Sequence, residues 1–466
     1  MAFFEERLYM LRKEDVFIRQ NENNRVPLYF VISVLSISVG ASLFSITGAT
    51  FPLWIILALL GAYTWKISNY ATVRIVIYLD VLVISLCGDT NFTLRFAIID
   101  FIITFITILF NGHSIPRRYK LSPSWTTVFI SGCVGGAFYA IDRTSFHVGI
   151  EVYGLLLAMI ISSELISYIE EVDLKVILAA ICTTNAGLMT IFWMSNTIQD
   201  LLTKTRALIY LLGDHGIRSN SLAGILVAFL IIIFTTRKYF SSKLVRLLNY
   251  IIITLDIVTL LLLQSRGGYI GITSAVLMAV VENIRNNRKR NRNSVINIIA
   301  LVCFAIVLVS LPGIQDLLWE YVFKRFFSLT NTSDISNGRF RTYIEAYNMW
   351  KKHIFFGNGF LQFSAFNIAN ADPHNWVLGY LDSTGIFGTS AFAIFIIKCL
   401  RQYNSSGIIS RAFRYSIFAQ VIHGLFEPIL TQNLPLSLFI VICIVSYFSV
   451  TQENMECYST NEINEA

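Results

Sequence analysis

From residue 27 onward, long apolar runs alternate with short polar breaks. The runs cover about 27–46, 51–65, 71–87, 94–110, 125–141, 148–169, 174–194, 221–236, 247–264, 268–282, 295–312, 375–397, 414–430 and 435–451. A helix crosses a ~30 Å hydrocarbon layer with about 20 apolar residues, so the pattern predicts an all-α, polytopic membrane protein of about 14 transmembrane helices. Between 313 and 374 the pattern changes. In IQDLLWEYVFKRFF (314–327) and GRFRTYIEAYNMWKKHIFFGNG (338–359) apolar residues recur every three or four positions, as in helices lying at a surface. Asn337 and Gly338 suit a helix start and Gly357 a stop. The predicted organisation is a segment 1–26, helices 1–11 over 27–312, a large folded helical outer loop over 313–374, helices 12–14 over 375–451, and a polar tail 452–466.

Composition agrees: 55% of the 466 residues are hydrophobic and 14% charged, with a mean hydropathy of +0.63. The first 25 residues are charged throughout, so the first membrane helix is read as its own signal. Lys and Arg concentrate in alternate loops: Arg117, Arg118 and Lys120; Arg237, Lys238, Lys243 and Arg246; residues 282–293; and Arg401, Arg411 and Arg414. By the positive-inside rule these loops and both termini are cytoplasmic. The net charge of +7 is then a signature of topology and inner-leaflet contact with membrane lipids, not of nucleic-acid binding. The seven cysteines have no spacing that suits zinc or a disulfide framework and read as small packing residues.

Candidate chemistry gathers on the outer side. No Walker loop, HExxH, GxSxG or DxD-like acidic cluster occurs, which argues against transport driven by the chain's own ATP hydrolysis and against zinc-dependent proteolysis. Arg266, in the turn SRGGYIG, stands at a helix start beside two glycines. It suits a phosphate ligand and equally an arginine reaching for lipid headgroups. Arg341 has Glu345 four residues on and reads as half of an ion pair. Arg339 has no acid at 342 or 343 and starts a helix, where the dipole disfavours a cation unless an anion is bound, which favours a ligand role. Among the six histidines, His113, His147, His215, His353 and His423 have plain structural readings. His374 follows Pro373, precedes the capping candidate Asn375, and sits where the loop re-enters the membrane. Imidazole, with an ordinary pKa of ~6.5, serves as a base near neutrality. Asp80, Asp100, Glu151, Glu164, Asp256 and Glu427 fall inside predicted spans; such acids are functional candidates, and a proton-coupled carrier would show them too.

Taken together, SRGGYIG, NGRFRTYIEAYNMWKKHIFFGNGF and HNWVLGYLDSTGIFG resemble the superfamily of O-antigen ligases, O-antigen polymerases and related surface-glycan polymerases, over about residues 250–390. Members carry a Ser-Arg-Gly turn, an arginine with an aromatic four residues later and a Gly-x-Gly, then His-Asn leading to Gly-hydrophobic-hydrophobic-Gly. Here Arg266, Arg339 with Tyr343, Gly357 to Gly359, His374 with Asn375, and Gly385 to Gly388 fill these places. Tyr343 stands where tryptophan is common, and Ile354 where proline is. The resemblance implies a GT-C-like glycosyltransferase that needs neither metal nor cofactor. Its donor and acceptor would be undecaprenyl-diphosphate-linked glycans, with room for a chain-length regulator as partner. Arg266 and Arg339 would hold the diphosphate, Tyr343 and Asn375 would contact substrate, and His374 would act as base in an inverting displacement. The expectation is a polymerase on the outer face of a bacterial cytoplasmic membrane. The alternatives are a ligase transferring glycan to lipid A core and, in a different class, a lipid-linked oligosaccharide flippase.

Overall fold

The apolar runs become helices wherever the structure describes them. The computed structural model describes residues 26–68, 70–86, 98–99, 102, 122–165, 171–196, 219–240, 242–263, 265–287, 339–363, 372–401, 407–432 and 434–446. Every regular element among them is helical: α1 (Val26–Thr47), α2 (Phe51–Ile67), α3 (Tyr70–Leu86), α4 (Ser122–Tyr139), α5 (Arg143–Leu165), α6 (Glu171–Ser195), α7 (Ser219–Thr236), α8 (Lys243–Leu263), α9 (Arg266–Asn287), α10 (Arg339–Trp350), α11 (Trp376–Arg401), α12 (Ile408–Gly424), a 3-10 turn (Pro428–Leu430) and α13 (Leu434–Ser446). By length and composition, six helices among the described residues can cross a membrane: α1, α5, α6, α7, α8 and α11. The predicted span at 295–312 and almost all of that at 94–110 lie outside the described residues, as does the amphipathic segment 314–327.

Helix α1 illustrates the solvent. Leu28, Ile32, Leu35, Val39, Leu43 and Ile46 are exposed along one face, while Phe30, Val34, Ile37, Ala41 and Phe44 are buried on the other. A helix apolar all round, with one face exposed along its whole length, suits lipid and not water. Inside the bundle α3 and α8 pack on α6, α12 lies along α7 and α9, and α11 along α4.

Two local features shape the end of the bundle where the site lies. The first concerns α11. Gly385 leaves helical geometry (φ 64°, ψ −166°), opening α11 to the chain that follows α10. Asn358 N–H and Gly359 N–H donate to the Asp382 and Ser383 carbonyls at 2.6 and 3.0 Å, and Ile386 N–H and Phe387 N–H donate to the Ile354 and Phe355 carbonyls at 2.9 and 3.3 Å. Asn358 Nδ2 adds a bond to Asp382 Oδ1 at 2.7 Å. A Cβ on Gly385 would meet the Phe355 backbone at 2.3 Å, and one on Gly357 (φ 71°) the Asp382 carbonyl at 2.4 Å. Backbone this close, at positive φ, admits only glycine. Next door, Phe360 enters a slot left by Gly132 and Gly149 and stacks on Tyr153 with ring centroids 3.9 Å apart. Gln362 caps the α4–α5 turn, accepting from Ile141 N–H and Asp142 N–H at 2.9 and 3.0 Å. The helix expected from Gly338 to a stop at Gly357 is therefore shorter, ending at Trp350 and continuing as turns to Phe356, because residues 354–359 pair with α11 instead.

The second feature departs from the predicted span at 414–430. Helix α12 stops at Gly424, and Pro428 begins the 3-10 turn. Proline lacks the N–H that would continue the helix, and its ring clashes with the preceding turn. Glu427, expected inside a span, is thereby delivered to the end of the bundle.

Candidate active site

The first helical turn of α9 starts at Arg266, where Ser265 caps the helix by accepting from Gly268 N–H at 3.3 Å. Helix α10 starts at Arg339. At the start of α11, Asn375 Oδ1 accepts from Val377 N–H and Leu378 N–H at 2.8 and 3.3 Å, the N-cap expected of it. Its amide donates to the Leu425 carbonyl at 3.1 Å, tying α11 to the turn after α12. His374, just before this cap, has φ 49°, a left-handed conformation that costs an L-residue roughly 1–2 kcal/mol.

These elements meet at Glu427, whose side chain is 2% exposed. Its Oε1 accepts from Arg339 Nη2 at 2.6 Å. Its Oε2 accepts from Asn220 Nδ2 on α7 at 2.6 Å and faces His374 Nδ1 at 3.3 Å. Arg339 Nη1 also donates to the Phe426 carbonyl at 3.0 Å. Tyr343, one turn along α10, directs its hydroxyl to the His374 carbonyl at 3.4 Å. Burial would raise the Glu427 carboxyl, but the hydrogen bond with His374 and the charge of Arg339 outweigh it and hold the group below the usual carboxylate range. Burial also pushes the Tyr343 phenol up, against the pull of Arg339.

Arg266 enters through its backbone. A Cβ on Gly267 would meet His423 Cδ2 at 2.4 Å and Glu427 Cγ at 2.8 Å, so the first turn of α9 lies directly on these two side chains. This explains the glycine after Arg266: the His423 ring occupies the space a larger residue would need. His423 is fully buried, and among the described residues neither ring nitrogen has a hydrogen-bond partner.

The structure thus brings Arg339, Tyr343, His374 and Asn375 together and sets the Arg266 turn beside them. The anion that the start of α10 called for is present in the protein, because Glu427 answers Arg339. The Arg341–Glu345 ion pair is formed at 3.1 Å, and His353 stacks on Tyr139 at 3.6 Å. Sequence reasoning singled out Glu427 only as one of several membrane acids, and it passed over Asn220. The helix-breaking Pro428 directly after an acid was the available signal for Glu427; Asn220 gave none.

Chemically, one carboxylate that orients an imidazole and anchors a guanidinium leaves two functions directed outward. Nδ1 of His374 faces the Glu427 carboxylate, and the tautomer that carries its proton on Nδ1 donates there and leaves Nε2 able to accept one. Arg339, 25% exposed, retains N–H groups for an anion. Among the described residues, no group of three or more His, Cys, Asp or Glu side chains is placed to hold a metal ion.

Residues 250–393 match the family model described as O-antigen ligase. The match runs from α8 into α11 and takes in Arg266, Arg339, Tyr343, His374 and Asn375, whereas Asn220, His423 and Glu427 lie beyond it. No curated protein matches the chain.

Proposed function

We propose, from the premise that residues 250–393 place this chain in the O-antigen ligase and polymerase superfamily, that it polymerises undecaprenyl-diphosphate-linked oligosaccharide units into a surface polysaccharide. The observation that carries the reading is the convergence of Arg339 and His374 on Glu427 at 2.6 and 3.3 Å, beside the Arg266 turn. The site lies on the outer face of a bacterial cytoplasmic membrane, as the Lys and Arg pattern of the loops implies.

The acceptor hydroxyl oxygen attacks the anomeric carbon of the donor on the side opposite the diphosphate. The bond from that carbon to the diphosphate oxygen breaks, and its electron pair leaves with the diphosphate. His374 Nε2 takes the hydroxyl proton, and the imidazolium formed is stabilised by Glu427. Arg266 and Arg339 meet the charge that develops on the leaving group. Tyr343 and Asn375 adjoin the substrate, the first by closing the His374 side and the second by fixing the start of α11. Inversion at the anomeric carbon follows from a single displacement.

The family description favours one second reading, a ligase that delivers the glycan to lipid A core. Purified protein in nanodiscs, given synthetic lipid-linked units alone or with lipid A core, separates the two. A ladder from the units alone establishes polymerase, and product only with core establishes ligase. No product with either acceptor, while the protein still binds the units, leaves the carrier reading and overturns the proposal.

A further inference from the structure

Helix α10 has three faces, each with its own surroundings. At about 100° per residue, Arg339, Thr342, Tyr343 and Ala346 share one side, where Thr342 and Ala346 are buried and Arg339 and Tyr343 serve the site. Arg341, Glu345 and Asn348 form a polar stripe, with an ion pair within it. Phe340, Ile344 and Tyr347 form a third stripe that is 67%, 57% and 42% exposed. Lys351 closes this stripe with its ammonium over the Tyr347 ring at 4.5 Å.

A helix lying at a water boundary would be polar over its whole exposed half, whereas this one divides that half into an apolar and a polar sector. Such a division is the mark of a helix half sunk at a membrane interface, its lysines reaching toward headgroups. The neighbourhood commits the apolar sector to lipid. Phe355 follows α10, is 61% exposed, and stacks on Phe387, itself 48% exposed and well inside the candidate membrane helix α11, with centroids 5.7 Å apart. At the end of α4, Phe138 and Ile141 are exposed at 76% and 62%, and their neighbour Tyr139 stacks on His353. Exposed aromatic and aliphatic side chains thus recur on the segment after α10, on α11 and at the end of α4, as they do along the stripe of α10.

We infer that α10 is an interfacial anchor: its Phe340–Ile344–Tyr347 face is embedded in the outer edge of the lipid leaflet on the site side. This fixes Arg339, on the adjoining face, at the depth of lipid headgroups. The anchoring does not depend on the reaction proposed above.

The test introduces one tryptophan at a time by Phe340→Trp, Ile344→Trp and Asn348→Trp in the full chain in nanodiscs. The added emission over the parent protein is read with lipids brominated on their acyl chains and, separately, with aqueous acrylamide. The Phe340→Trp and Ile344→Trp signals are expected to fall at least roughly twofold with brominated lipid and little with acrylamide. The Asn348→Trp signal should show the reverse. If the first two are quenched by acrylamide and not by brominated lipid, the face is in water. If they are shielded from both, protein covers it. Either result overturns the inference, and glycan transfer measured on the same samples tells its failure apart from failure of the proposed function.

Discussion

Arg339 and Glu427 stand 88 residues apart in sequence and meet at 2.6 Å, which joins the start of α10 to the turn that ends α12. Glu427 accepts from Asn220 on α7 as well and faces His374, so one buried carboxylate fastens three segments. Replacing Glu427 with alanine takes this acceptor from three groups, Arg339, Asn220 and His374, at a cost of roughly 1–3 kcal/mol for each one left buried and unsatisfied. The conservative Glu427→Gln keeps the shape but loses the charge that orients and supports His374. Its kcat is expected to fall about 100-fold or more, the usual scale of acid–base assistance, with donor KM changed far less. Steady-state kinetics with lipid-linked units decide it; equal losses in Glu427→Gln and Asn220→Ala would reduce Glu427 to a packing role.

The lowered Glu427 carboxyl sets a pH dependence of stability. A group whose native pKa lies below its ordinary value of 4.5 contributes stability that is fully present above that value and lost as the pH falls through the lowered one. The difference in melting temperature between wild type and Glu427→Gln should therefore shrink as the pH falls below about 4.5. A difference that grew with acidification below that value would reverse the assignment.

Gly267 makes a sharper test of how the Arg266 turn sits. Gly267→Ala puts a methyl against the His423 ring and Glu427, and we expect a loss of activity with a modest loss of stability. His423→Ala removes the nearest obstacle, so the double variant should recover part of what Gly267→Ala loses. A double-mutant cycle checks this, and strict additivity would mean that the two side chains do not share that space.

Gly357 and Gly385 hold the loop beside α11. Gly357→Ala combines a left-handed backbone, costing roughly 1–3 kcal/mol, with a Cβ 2.4 Å from the Asp382 carbonyl. It should destabilise the protein measurably and lower activity. Arg341→Ala, which breaks an exposed ion pair, is the contrasting control and should cost about 0.5 kcal/mol or less. Thermal unfolding of the two variants side by side reads the contrast.

The helices were legible because lipid demands long apolar runs, and α1 to α3 or α6 to α8 fall close to where those runs lie. The candidate site was legible where local geometry leaves a mark in the sequence: the cap at Asn375, the glycines flanking Asn358, and the arginine at the start of α10. What could not be read is what depends on meeting at a distance. Arg339 looked unpaired because its carboxylate arrives from 88 residues away. Glu427 looked intramembrane because the apolar run continues through Pro428, Ile429 and Leu430, and only the proline reveals that the helix has ended. The glycine after Arg266 carried no sign of its neighbour, because the His423 ring that a Cβ there would meet comes from a distant helix.

In the proposed reaction His374, oriented by Glu427, takes the proton of the attacking hydroxyl. The most direct measurement is the single-turnover rate of glycan transfer by wild type and His374→Ala, in nanodiscs saturated with lipid-linked units and matched for bound donor. The expected rate is lower by about 10²- to 10⁴-fold in the variant, with donor binding retained. A variant that transfers within about tenfold of wild type would contradict it and return His374 to a structural role.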